Sequence, residues 1–199
     1  PQFAPDTEGK MGSVIAMLAN RRNNLPIGIA LSLIYAALFL SGCSQSQSGK
    51  FSGNVVGIAD GDTITVLKGT EPEKIRLAEI DCPEKSQAYG QQAKRYSARS
   101  CFGKPVRVSY TSSDRDKRLI AFVRLPDGKI LNKELLKAGM AWCYIQYCKD
   151  PEMYAIEKQA KQNRVGLWQD PNPVPPWEWR QASRAKPSLF KQVLKFFGL

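Results

Sequence analysis

The sequence predicts an α+β fold: a small five-stranded Greek-key β-barrel with three helices packed around it. Three observations carry this. Short β-rich runs bounded by turn residues recur between residues 51 and 131. One helical stretch interrupts them after the third run, and two more helical stretches follow the last. Strands that close on one another around an inserted helix are met most economically by an OB-like barrel. No internal repeat is present.

The elements follow in chain order. "FSGNVVGIAD" and "TITVLKG" flank Asp60-Gly61, a hairpin signal. "EKIRLAEI" is the third strand. Residues 88 to about 102, "AYGQQAKRYSARSCF", have helix-forming composition and stop at Gly103. "KPVRVSY" and "RLIAFVRL" are the fourth and fifth strands, and Pro126-Asp127-Gly128 turns the chain into the return "KIL". Asn132 is placed to cap a short helix, "KELLKAG", closed by Gly139. "MAWCYIQY" reads as extended or irregular. Asp150-Pro151-Glu152 starts a helix with proline at its first position, running to about Arg164. "DPNPVPPWEWR" reads as proline-rich and extended, its tryptophans docking on the body.

Residues 1–43 read as an N-terminal extension and a signal peptide. Arg21 and Arg22 precede an apolar stretch from Leu25 to Leu40, and Leu40-Ser41-Gly42-Cys43 resembles a lipobox whose Cys43 is lipidated. An uncleaved anchor helix is the alternative. Both predict export to the cell envelope, and Ser44 resembles an outer-membrane sorting signal. Residues 44–50 are then a tether, 51–170 the folded domain, and 171–199 the proline- and tryptophan-rich segment with a basic tail. In that tail Leu189, Phe190, Val193, Leu194 and Phe197 fall at helical spacing, which suits a membrane-surface helix or one docked on the domain. Cys82, Cys101, Cys143 and Cys148 allow two disulfides in three connectivities, and the lack of a close CxxC pair disfavours zinc.

Twenty-nine Lys and Arg against eighteen Asp and Glu give a net charge of +11, which suits a polyanionic partner, nucleic acid or an anionic membrane. There is no histidine. Serine–histidine triads, imidazole metal sites and histidine-base nucleases are therefore excluded. Hydrolytic chemistry has to come from carboxylates and cations, with or without an oxygen-bound metal. Asp62, at the end of the apolar row Ile64 and Val66, needs a partner to stay charged. Asp81 and Glu84 close the next strand, and Pro83 holds Cys82 extended. Such oxygen donors favour Ca²⁺ or Mg²⁺. Arg76 and Arg118 offer rigid guanidinium forks that match phosphate oxygens. Five residues apart on a regular strand, Arg76 and Asp81 would face opposite ways. Their convergence requires a bend, expected at Cys82-Pro83.

"DGDT" at 60–63, "IRLAEIDCPE" at 75–84, the Asp114–Arg118 segment before "LIAFV", and "LPDGKILNKELLKAGMAW" together resemble the thermonuclease (staphylococcal nuclease) family over residues 50 to 170. "GLWQDPNPVPPWEWR" resembles the ending of many exported bacterial members. The resemblance implies a calcium-dependent endonuclease acting on DNA and RNA, leaving 5′-hydroxyl and 3′-phosphate ends. It assigns Asp62, Asp81 and the Cys82 carbonyl to Ca²⁺, and Asp60 to their support. It assigns Glu84 to the attacking water, Arg76 and Arg118 to the phosphate, and Tyr147 to a nucleotide. The chain departs from the family at Asp116 and Lys117, which replace a tyrosine and a glycine, and at Ile145, which replaces another tyrosine. Substrate grip and end preference are where those departures act. A monomer without an obligate protein partner is expected, tied to the membrane through Cys43. The alternatives are a catalytically inactive nucleic-acid-binding lipoprotein and a calcium-stabilised structural lipoprotein.

Overall fold

The computed structural model describes residues 48–185. The signal peptide, Cys43 and the 188–199 tail lie outside the described residues. The strands are β1 (Gly49–Ile58), β2 (Thr63–Lys68), β3 (Glu71–Leu77), β4 (Ile80–Asp81), β5 (Pro105–Ser113), β6 (Leu119–Arg124) and β7 (Trp142–Cys143). The helices are α1 (Gly90–Cys101), α2 (Leu131–Lys137), α3 (Pro151–Gln162) and α4 (Pro176–Ala185), with a 3₁₀ turn over Gly166–Gln169.

Alternation builds the barrel. Ile64 and Val66 of β2, Ile75 and Leu77 of β3, Val106 and Val108 of β5, and Ala121 and Val123 of β6 all point inward and are buried. Burying each larger aliphatic side chain contributes about 1.5–3 kcal/mol. The strands close in the order β1-β2-β3-β6-β5, with β5 pairing back onto β1. All neighbours are antiparallel except β3 and β6, which run parallel. A bulge between Val55 and Gly57 shifts the β1–β2 register, and a second interrupts β5–β6 between Tyr110 and Ser112. The predicted OB-like barrel is therefore present, with its first strand beginning at Gly49, inside the segment read as tether.

Among the described residues four helices, not three, accompany it. The extra one is α4, in the segment expected to be extended throughout: the prolines end at Pro176, which opens the helix where its missing N–H costs nothing. Asp150 caps α3 as expected, its side chain accepting from the Glu152 amide at 2.9 Å, and that helix stops at Gln162. Asn132 does not cap α2. The helix begins at Leu131, and Asn132 lies fully buried inside its first turn. There its Nδ2 donates to the carbonyls of Ala78 (2.9 Å) and Ala121 (3.2 Å), and its Oδ1 accepts from the Val123 amide (3.2 Å). The asparagine thus ties the end of β3 to β6. The expected return strand after the Pro-Asp-Gly turn shrinks to one bridge, Arg124 to Ile130.

The chain leaves β3 at Ala78 and reverses through Glu79, whose φ of 64° is left-handed. It then enters β4, which pairs with β7 in a small separate sheet, Ile80 opposite Cys143 and Asp81 opposite Trp142. The bend therefore falls at Ala78-Glu79, ahead of the expected Cys82-Pro83. All four cysteines here are buried thiols rather than disulfides. Burial pushes Cys101 up to about 12, and its Sγ donates to the Ser97 carbonyl at 3.1 Å.

Candidate active site

Loop 59–62 delivers the first carboxylate. The amides of Ala59 and Asp60 both donate to the Thr63 carbonyl, so β2 starts at Thr63 and Asp62 belongs to the loop rather than to the strand. Gly61 makes the arrangement fit: a Cβ there would lie 2.8 Å from Ala93 and from Cys82. Ser97 of α1 donates to the Gly61 carbonyl at 2.5 Å and pins the loop. Asp62 is buried, its Oδ2 accepting from the Cys82 amide at 2.7 Å and its Oδ1 from the Thr63 hydroxyl at 3.2 Å.

Arg76 of β3 draws the second carboxylate in. The Glu79 reversal removes the alternation that would separate Arg76 from Asp81. Nη1 of Arg76 donates to the carbonyls of Leu77 and Ile80, 2.8 Å each, clamping the reversal itself. Its Nη2 lies 2.7 Å from Asp81 Oδ1 and 3.2 Å from Asp62 Oδ2. Burial opposes the Arg76 charge, but Asp62 and Asp81 outweigh it and hold its pKa above the ordinary value. Burial also pushes the Asp81 carboxyl up, while the guanidinium groups around it pull it back. Asp60, which accepts from the Asp62 amide at 3.3 Å, is pushed up to about 6, by burial first and then by the charge of Asp62.

Glu84 stands on the loop after Pro83 and is 40% exposed. Its carboxylate Oε1 accepts from Nη1 of Arg180 at 2.8 Å, and Nη2 of the same arginine lies 2.7 Å from Asp81 Oδ2. Sequence reasoning missed Arg180 altogether. The signal was Pro176 followed by Trp177 and Arg180 three residues apart: proline at a first turn, then one helix face.

The other expected residues divide. Arg118 is not in the cluster. Its Nε and Nη2 each lie 2.8 Å from Asp114 Oδ2, and Nη2 lies 3.5 Å from Asp116. The β5–β6 turn folds onto itself through these acids, with the Arg118 amide also donating to Asp114 Oδ1 at 2.9 Å. Arg118 immediately precedes β6, whose parallel pairing with β3 begins at Leu119 opposite Ile75. Cys82 backs onto Asp62 through its amide, and burial raises its thiol well above the usual range. Tyr147 is exposed and meets Tyr144 edge-on at 4.9 Å, and Tyr144 stacks on Trp177 at 5.5 Å. Tyr147 therefore ends an aromatic strip beside the carboxylates.

Asp60, Asp62, Asp81 and Glu84 face Arg76 and Arg180, four carboxylates against two guanidinium groups, and burial together with the Asp62 charge raises the Asp60 pKa. Among the described residues no three His, Cys, Asp or Glu side chains are grouped to hold a metal by themselves. The two buried acids that converge on Arg76 are oxygen donors of the kind a hard divalent cation takes, with backbone carbonyls or water completing its shell. The residues fit calcium on that basis.

A closed barrel with buried carboxylates gathered around guanidinium groups, on a basic chain lacking imidazole, is an arrangement suited to a phosphodiester-cleaving hydrolase, and the comparisons place the chain among the nucleases. Comparison narrows the class to a family. Residues 74–170 match the family described as staphylococcal nuclease homologue. An uncharacterized endonuclease of Haemophilus influenzae is 42% identical over 154 residues, covering 77% of this chain and 84% of that protein. A micrococcal nuclease of Shigella flexneri is 42% identical over 165 residues, 78% of this chain and 94% of its own length. A staphylococcal-like nuclease of Arabidopsis thaliana is 39% identical over 111 residues, 56% of this chain and 34% of that protein. The chain belongs to the staphylococcal nuclease homologue family.

Proposed function

We propose that this chain is a calcium-dependent endonuclease that hydrolyses phosphodiester bonds of DNA and RNA. The observation that carries the reading is the convergence of Asp62 and Asp81 on one guanidinium nitrogen of Arg76, at 3.2 and 2.7 Å. Asp62 and Asp81 would hold calcium, which would supply Lewis-acid charge for the phosphate. Arg76, already oriented by two carbonyls, adds a fixed positive charge where negative charge builds up on phosphorus oxygens. Glu84 Oε2 makes no hydrogen bond among the described residues, which suits it to orient the attacking water. Arg118 acts as the second phosphate arginine once a substrate phosphate competes with Asp114 and Asp116 for its fork. Tyr147 offers its exposed ring to a nucleotide base. Export and lipid anchoring at Cys43 complete the reading, supported by the sequence pattern of residues 21–43.

The test is direct. The purified protein is mixed with denatured DNA in calcium or in EDTA, and fragments are followed with time. Cleavage in calcium alone supports the enzyme. Binding without cleavage would favour the inactive nucleic-acid-binding reading instead.

A further inference from the structure

Nothing in the barrel itself fixes the Glu84 carboxylate. Glu84 stands on an irregular loop with a long side chain, whose immobilisation costs conformational entropy. Among the described residues its carboxylate has one partner, Arg180, 96 positions away in α4. The same fork grips Asp81 with both nitrogens, Nη2 to Oδ2 at 2.7 Å and Nη1 to Oδ1 at 3.4 Å. Asp81 is almost fully buried in the β4–β7 sheet, so it is a rigid point of reference. Arg180 transmits that rigidity to Glu84 and separates two carboxylates that would otherwise repel.

The helix bearing Arg180 is anchored independently of it. Trp177 stacks on Tyr144 with the rings 3° from parallel and meets Trp142 edge-on at 5.9 Å. One turn upstream, Gln87 ties the two segments together: its Nε2 donates to the Val174 carbonyl at 2.5 Å, and its Oε1 accepts from the Glu84 amide at 3.1 Å. The Glu84 loop and the C-terminal segment are thus joined twice, once through backbone and once through charge. Gly90 closes the loop from behind, since a Cβ there would run into the Glu84 carbonyl.

We propose that Arg180 is a positioning residue of the hydrolytic reaction, holding the Glu84 carboxylate toward the attacking water, so that α4 is a wall of the active site. The inference rests on the nuclease reading above. The test uses the full chain, denatured DNA and calcium, with Arg180→Ala, Arg180→Lys, Glu84→Gln, the Arg180→Ala/Glu84→Gln pair and the exposed control Arg184→Ala. Arg180→Ala is expected to lower kcat about 100-fold, the scale of a misplaced reacting group, with KM little changed. Arg180→Lys recovers part of the rate, the pair falls no further than Glu84→Gln alone, and Arg184→Ala matches wild type. Lys also keeps the charge if Arg180→Ala fails to fold. Calorimetric calcium binding without DNA becomes tighter in Arg180→Ala, because a cation beside Asp81 has been removed. Several results would overturn the inference: an unchanged or faster kcat in Arg180→Ala, additive losses in the pair, or calcium binding weakened in step with kcat. A wild-type chain that cleaves nothing would instead remove the reaction itself, and the inference with it.

Discussion

Arg76 directs one nitrogen to two backbone carbonyls and the other to two buried acids, so it holds the Glu79 reversal and the acid pair together. Replacing it with alanine leaves Asp62 buried without a cation and Asp81 with Arg180 alone. The expected loss is about 3–5 kcal/mol of stability, the cost of breaking a buried ion pair, read from the urea midpoint. A loss below about 1 kcal/mol would mean water already compensates those acids. Arg118 is a different case, because its partners are local. Arg118→Ala is expected to slow turnover by about 100-fold or more while leaving the fold intact. A near-normal rate would leave it only the task of closing the Asp114–Arg118 turn. The pH dependence of that turn follows from Asp114. Burial raises its pKa, but hydrogen bonds from Arg118 and the Asp116 amide outweigh burial and hold it below 3.8. A depressed carboxylate stabilises the fold fully above its unfolded value and loses that contribution as pH falls through the folded one. Asp114→Asn should therefore be less stable than wild type at pH 7 and equal to it once pH drops well below 3.8. Melting curves at both pH values check this, and an equal deficit at low pH would contradict it.

At the scale of elements, what could be read from sequence was whatever depended on local periodicity and local caps. The inward rows of β2, β3, β5 and β6 and the Asp150 cap of α3 are of that kind, since alternation and a capping carboxylate act over a few residues. The reversal at Glu79 was hidden because no glycine marks it. Its left-handed residue is held by the Arg76 clamp and by β4 pairing with the distant β7, Ile80 opposite Cys143. Asn132 looked like a cap for the same reason: the sequence shows an asparagine before a helix, but not the Ala78 and Ala121 carbonyls waiting for its amide. Asn132→Leu should cost about 1–3 kcal/mol by stranding the Ala78 carbonyl, while the Ala121 carbonyl keeps the Ala78 amide, measured by denaturant unfolding. An unchanged midpoint would show that the tie between β3 and β6 is dispensable. Asp62, Asp81, Glu84 and Arg76 were legible as chemistry from their residue types. Arg180 was not, because its partners lie far away in the chain and its helix follows a run of prolines.

For the whole molecule, the charge of +11 and the locally acidic site play separate roles. In the proposed reaction the net positive charge would gather polyanion over a distance, and the carboxylate cluster would give the attack its geometry. Binding of denatured DNA should weaken steadily with added salt, linear on logarithmic axes, because each neutralised phosphate releases counterions. Salt-independent binding would mean that base stacking on the aromatic strip dominates.

The central claim is that the buried acids, their guanidinium partners and Glu84 act as one phosphodiester-cleaving unit. Its most direct test is the single-turnover rate on denatured DNA at saturating calcium, for wild type and Glu84→Gln. The account predicts calcium-dependent cleavage by wild type and a rate at least about 100-fold lower in the variant, with DNA affinity preserved. Equal rates for the two proteins would contradict it.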